Sequence, residues 1–200
     1  IARPLIIIEA AMSLKLNVIV CSTRPGRVGI SIGRWFEGFA KAHGGFEVTL
    51  EDLADYDLPV FDEPHHPRLR KYEHDHTKAW SASVERADAY VFVTPEYNYG
   101  PPPSLVNAMN YLVHEWRDKV AGFVSYGGVS GGMRAVQAEK LMMTNFKIMP
   151  LPEQVMVPNF PQHLDGEGRF TPNDLHESSA KVMLDELARW ARALKAMREA

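Results

Sequence analysis

The chain has 200 residues, 46% of them hydrophobic, which suits one domain with a single substantial core. A formal net charge of −3, with no basic run interleaved with aromatics, argues against nucleic-acid and anionic-membrane partners. The single cysteine, Cys21, excludes an intrachain disulfide and a cysteine-based metal cluster, and points to a reducing cytoplasm.

Residues 1–11 include Leu5-Ile6-Ile7-Ile8, too short for a signal-peptide core and interrupted by Glu9. They read as an N-terminal extension, with residues 12–200 as the folded domain. Residues 16–21 are a nearly continuous apolar run, the pattern of a strand buried on both faces. Cys21 at its end is therefore expected to be a buried, inert thiol. A helix is expected over 30–43, closed by Gly44-Gly45, and an alternating strand over 46–50. The stretch 53–72 is rich in Pro and His and reads as a long excursion before the next helix.

Apolar runs at 89–94 and 120–125 predict the third and fourth strands. Between them Leu105, Ala108, Met109, Leu112, Val113 and Trp116 fall on one helical face, opened by Pro103-Ser104. A further helix is expected over 133–145 and a fifth strand over 154–157. The last helix is expected to begin at Thr171-Pro172, with Thr as cap and Pro in the first turn. Its buried face would carry Val182, Met183, Leu187, Trp190, Ala191 and Leu194. Strands alternating with helices imply crossovers, hence an α/β fold with a doubly wound parallel sheet. The longest apolar run falls far short of a membrane span.

Ligands of such sheets bind beyond the carboxyl ends of the strands, and three of those loops have unusual compositions. The first is Ser22-Thr23-Arg24-Pro25-Gly26-Arg27-Val28-Gly29, joining a strand to a helix N-terminus. Free backbone N–H groups, two hydroxyls and two arginines there suit a phosphate monoester. It lacks the Gly-Lys-Ser/Thr ending of a Walker loop and the G-x-G-x-x-G of a dinucleotide fold. The second runs from Thr94 to Ser104, and Pro95, Glu96, Tyr97, Asn98 and Tyr99 make it a rigid aromatic and polar rim for a flat heteroaromatic ligand. The third, Ser125-Tyr126-Gly127-Gly128-Val129-Ser130-Gly131-Gly132, can aim several N–H groups into one turn. Such donors would suit the pyrimidine edge of a flavin and its charge on reduction.

With these residues assembled, the chain resembles the NADPH-dependent FMN reductase family of the flavodoxin-like superfamily, over residues 16–157. The resemblance rests on the first loop, on Thr94-Pro95-Glu96-Tyr97-Asn98, on Asn107-Ala108-Met109-Asn110-Tyr111-Leu112 and on Ser125-Tyr126-Gly127-Gly128, with His76-Thr77-Lys78-Ala79-Trp80 in support. It implies a three-layer sandwich around a five-stranded parallel sheet in order 2-1-3-4-5. It implies bound FMN, its phosphate held by Ser22, Arg24, Arg27, Val28 and Gly29. Pro95, Glu96, Tyr97 and Asn98 would line the isoalloxazine, and Ser125, Tyr126, Gly127, Gly128 and Val129 its other edge.

The implied activity is hydride transfer from NADPH or NADH to a flavin, quinone or similar small acceptor, in a cytoplasmic homodimer or homotetramer. Tyr97 and Asn98 are the expected catalytic residues, since hydride transfer needs stacking and orientation more than an acid or base. Tyr99 departs from the resemblance, because a small residue often follows Tyr-Asn. Two other readings stay open: a non-enzymatic FMN electron carrier, and a dinucleotide-binding dehydrogenase with Glu51 or Asp52 on a ribose. His65, His66, His74 and His76 could in principle ligate a metal, but their polar setting favours a solvated loop, and no metal is expected.

Overall fold

Strands that are apolar at every position need cover on both faces, and the chain supplies it by alternating strand and helix. In the computed structural model, which describes residues 13–200, the five strands are β1 (Leu14–Val20), β2 (Phe46–Asp52), β3 (Ala89–Pro95), β4 (Lys119–Tyr126) and β5 (Ile148–Val157). They form one sheet in order β2-β1-β3-β4-β5, and every pair is parallel. The extension read over residues 1–11 lies outside the described residues.

Helices α1 (Gly29–His43) and α5 (Asp174–Glu199) cover one face, over a core that includes Val18, Phe36, Val91, Val124 and Leu187. Helices α2 (Asp75–Arg86), α3 (Pro103–Asn110) and α4 (Met133–Asn145) cover the other, over Trp80, Phe92, Met109, Trp116 and Phe123. The strand order reverses between β1 and β3, so the loops leaving β1, β3 and β4 open side by side at one sheet edge. The opposite edge is an anchor. There Asp88 accepts bonds from Lys195 (3.1 Å), Arg198 (2.7 Å) and the Lys15 amide (3.0 Å), clamping the end of α5 to the starts of β1 and β3.

Three elements differ from their sequence pattern. The helical spacing from Leu105 to Trp116 is real, but α3 stops at Asn110. Two buried indoles explain it: Trp80 donates to the Ala108 carbonyl (2.9 Å) and Trp116 to the Met109 carbonyl (3.3 Å). Those carbonyls would bond the amides of Leu112 and Val113 in a longer helix. Strand β5 starts at Ile148, six residues earlier than the pattern suggests, despite Pro150 and Pro152. An edge strand tolerates prolines because one row of its amides faces away from the ladder.

Helix α5 is capped by Asn173 instead of Thr171. Asn173 and His176 form a reciprocal capping box, while Thr171 bonds the His163 carbonyl through both its amide and its hydroxyl. On the same helix Val182 is exposed, whereas Met183, Leu187 and Ala191 are buried.

Candidate functional site

The first loop leaves β1 beneath the N-terminus of α1, where Val28 caps the helix without any side-chain bond. The amides of Ser22, Thr23, Gly26 and Gly29 have no acceptor among the described residues. Together with the helix dipole they make an anion-ready concavity. Its floor is specific. Ser22 is buried, and its Oγ accepts a bond from the Tyr126 hydroxyl at 3.1 Å. Burial holds the Tyr126 phenol well above its usual range, so it stays a neutral donor. A Cβ on Gly29 would stand 2.5 Å from Ser22 Oγ and 2.6 Å from Tyr126 Oη, so only glycine leaves room for this hydroxyl pair.

The two arginines of the loop have different employment. Arg24 is exposed, its only bond among the described residues being to the Pro25 carbonyl, and it is available to an anion. Arg27 forms an ion pair with Asp52 at the end of β2, and Asp52 also accepts the Ala54 amide (3.0 Å). Its guanidinium is thereby held toward β2, and its buried Nε has no acceptor among the described residues.

The second loop is a minimal hairpin. Tyr97 and Gly100 exchange both backbone bonds at 2.9 Å, and between them Asn98 (φ 50°) and Tyr99 (φ 69°) are both left-handed. Asparagine suits this conformation, whereas an aromatic residue rarely adopts it. The exposed Tyr99 ring lies 3.8 Å under the Arg134 guanidinium carbon. Arg134 in turn is bound to Glu96, which accepts from its Nε (2.7 Å), from its amide (3.1 Å) and from Ser130 Oγ (2.9 Å). Burial alone would raise the Glu96 carboxyl, but these bonds outweigh it and hold the group below its ordinary range. Glu96 thus straps the second loop to the third and to α4.

The third loop is braced from within and from behind. Ser125 Oγ, fully buried, donates to the Gly131 carbonyl (2.7 Å). The chain after β5 donates from Asn159 to the Gly128 carbonyl (2.8 Å) and from Phe160 to the Gly127 carbonyl (3.2 Å). Gly128 and Val129 remain exposed, with amides that have no acceptor among the described residues. Beneath the second loop, Thr94 donates to Oε1 of Glu139, a fully buried carboxyl of α4 whose Oε2 has no partner among the described residues. Burial pushes the Glu139 pKa up to about 8, against the smaller opposing effect of the Thr94 bond. Burial also holds the adjacent Cys21 thiol well above its usual value, with Glu139 adding to the effect, so this cysteine is protonated and inert.

The candidate cofactor-binding residues read from the sequence lie on these three loops or on the adjoining ends of β3, β4 and α1, at one sheet edge. Their side chains do not all face outward. Ser125, Tyr126 and Glu96 are committed to internal bonds, and Arg27 to Asp52. The sequence reading passed over Ser130, Gly132 and Glu139 as site residues. Glu139 had left a signal: with Ala135, Val136 and Met143 it shares the buried face of α4, a charge on an apolar stripe.

The histidine-rich stretch is tied into the fold by local bonds. His66 Nδ1 accepts the Arg68 amide (3.1 Å), while the stacked rings of His74 and His76 face Asp62, with the His76 Nε2 at 3.0 Å. Among the described residues no three His, Cys, Asp or Glu side chains are placed to hold a metal ion. Nor is any described helix long and apolar enough to cross a membrane.

Beside the three loops a groove of about 860 Å³ runs between Thr23, Leu53, Val60, Pro101, Ser104 and Asn107. A family model described as NADPH-dependent FMN reductase matches residues 14–162. The chain is 42% identical over 125 residues to an NAD(P)H-dependent FMN reductase of Schizosaccharomyces pombe, an alignment covering 62% of each chain. It is 32% identical over 187 residues to the NAD(P)H-dependent FMN reductase ntnL of a Nectria species, covering 90% of this chain and 89% of that one. In fold it is similar to FerB, a flavoenzyme NAD(P)H:(acceptor) oxidoreductase of Paracoccus denitrificans, with a TM-score of 0.70 at 17% identity, covering 90% of this chain and 98% of the other.

Proposed function

The chain belongs to the NADPH-dependent FMN reductase family, and from that premise we propose that it binds FMN and uses NAD(P)H to reduce a small acceptor such as free flavin or a quinone. The observation that carries this reading is the adjacency of an anion-ready N–H cluster at Ser22–Gly29, the Tyr97–Gly100 hairpin and the open Gly128–Val129 amides. These residues fit the group chemically. Ser22, Arg24, Val28 and Gly29 would hold its phosphate, and Arg27 would support the loop through Asp52. Pro95, Tyr97 and Asn98 would border the ring system, and the amides of Gly128 and Val129 would donate to its polar edge, the Gly127 amide being bonded to the Val157 carbonyl. When bound, FMN supplies the redox chemistry, accepting a hydride and passing on two electrons.

The protein's own part is orientation and charge. Tyr97, half-buried at the foot of the hairpin, offers a rigid aromatic wall, and Asn98 presents its amide from a fixed left-handed turn. The free amides of Gly128 and Val129 would stabilise negative charge at the polar edge of the bound ring. No acid–base triad is required. One domain over residues 12–200 is the working unit, and we place it in the cytoplasm as a homodimer or homotetramer. Exposed Val60 and Leu69 on the excursion after β2 are apolar surface that a second copy would cover.

The test is direct. Purified protein supplied with FMN should show a flavin visible spectrum that bleaches on NADPH addition and recovers with quinone; a protein that refuses FMN sinks the proposal. Arg24→Ala should weaken FMN affinity by about tenfold or more, the worth of one charge-assisted bond. Fluorescence titration of the apoprotein measures it, and an unchanged affinity would remove Arg24 from the phosphate site.

A further inference from the structure

On the far side of the first loop from Ser22 lies a second recess, between α1 and the end of β2. It holds about 490 Å³ and is lined by Gly26, Arg27, Arg34, Asp52 and Asp55 over an apolar floor of Ile30 and Leu50. We infer that this cleft receives the 2′-phosphorylated adenosine end of the hydride donor, and that Arg34 selects NADPH over NADH. The inference rests on the reductase reading above and adds the site and the discriminating residue.

The chemistry of the lining is unusual for a simple anion site. Two guanidinium groups and two carboxylates share the cleft. An inorganic anion gains from the arginines and loses to the aspartates. Adenosine 2′-phosphate carries a dianion for the arginines, a ribose hydroxyl and an exocyclic amine for the carboxylates, and a flat base for Ile30 and Leu50.

The available groups match. Arg34 is exposed and has no acceptor among the described residues. Arg27 carries a buried Nε–H that likewise lacks one. Asp55 is exposed and unpaired among the described residues, while Asp52 is held in place by Arg27 and the Ala54 amide.

Position agrees with chemistry. The short 3-10 turn Leu53–Tyr56 is a wall common to both recesses: Leu53 and Ala54 line the 860 Å³ groove, and Asp52 and Asp55 line the cleft. The groove reaches Thr23 and Ser104 beside the flavin loops. A dinucleotide laid across this turn has its nicotinamide end toward the flavin and its adenosine end among the charged groups. Of the first loop only Gly26 and Arg27 line the cleft, so the flavin phosphate would be held beside it, at Ser22, Arg24, Val28 and Gly29.

The test uses the FMN-loaded protein. Calorimetric titration with adenosine 2′,5′-bisphosphate should show binding that Arg34→Ala weakens about tenfold and Arg34→Lys largely retains. In turnover, Arg34→Ala should lower the ratio of kcat/KM for NADPH to that for NADH about tenfold. A bisphosphate that binds Arg34→Ala as well as wild type, or a wild-type enzyme indifferent to the 2′-phosphate, overturns the inference. A protein that oxidises neither nucleotide overturns the reductase reading instead, and the titration, which needs no turnover, then still decides the cleft.

Discussion

Gly132→Ala is expected to destabilise the protein by about 3 kcal/mol and to deform the third loop. Gly132 sits at φ 85°, where a side chain costs about 1–2 kcal/mol. Its added Cβ would stand 2.8 Å from Ser125 Cβ and 2.9 Å from the Tyr126 amide nitrogen. Neither can yield: Ser125 is tethered to the Gly131 carbonyl, and Tyr126 is paired in the sheet with Pro95 and Val157. Overpacking against fixed atoms adds roughly 1–3 kcal/mol. Gly128, four residues earlier on the same loop, is the control, because a Cβ there meets nothing within 4 Å. Urea unfolding should show a large fall in midpoint for Gly132→Ala and almost none for Gly128→Ala. Equal midpoints for the two variants would contradict the assigned backbone geometry.

Stability should also fall as the pH rises from about 5 to 8, because of Glu139. Its carboxyl titrates near 4.5 in an unfolded chain and at about 8 in the fold, where burial outweighs the Thr94 bond. Between those values the folded protein keeps a proton that the unfolded chain has released. The unfolding free energy therefore drops with rising pH by at most about 1.4 kcal/mol per unit, is fully retained below pH 4.5 and levels off above 8. His176 acts in the opposite sense: burial, aided by nearby His163, depresses it, so its contribution grows as the pH rises toward the ordinary histidine range.

The comparison of wild type with Glu139→Gln isolates the carboxyl. Wild type should lose about 3 kcal/mol relative to the variant between pH 5 and 8. Parallel stability curves would show that Glu139 is ionised in the fold. Carboxyls held low, such as Glu96 and Glu115, act only below the acid end of this window.

Strands β1, β3 and β4 were legible as nearly continuous apolar runs, β2 as an alternation and β5 only in its last residues, and the ligand edge was legible because Gly, Pro and Arg punctuate the loops that follow the strands. What escaped was decided by partners distant in sequence. Helical spacing continues through Leu112, Val113 and Trp116, yet Trp80, some thirty residues upstream, and Trp116 itself take the carbonyls a longer α3 would use. No local pattern announces that competition. The start of β5 was hidden by two prolines that only an edge position permits.

Within the site, residue identity located the loops but not the direction of the side chains. Ser125, Tyr126 and Glu96 read as ligand contacts, and the structure turns them inward to hold the loops that carry the free amides. Arg24 and Arg27 read as a pair, and Asp52, 25 residues downstream of Arg27, separates them.

The hairpin at Asn98–Tyr99 constrains how this enzyme can be re-engineered. Both of its closing bonds join Tyr97 to Gly100, so one inserted or deleted residue breaks both and shifts Tyr97. A library seeking new acceptors should therefore keep the loop length and randomise position 99, whose exposed ring is held chiefly by Arg134. Glycine there would ease the left-handed turn while opening the rim. On the proposed reading, acceptor range would be tunable one side chain at a time, on a backbone that cannot slip.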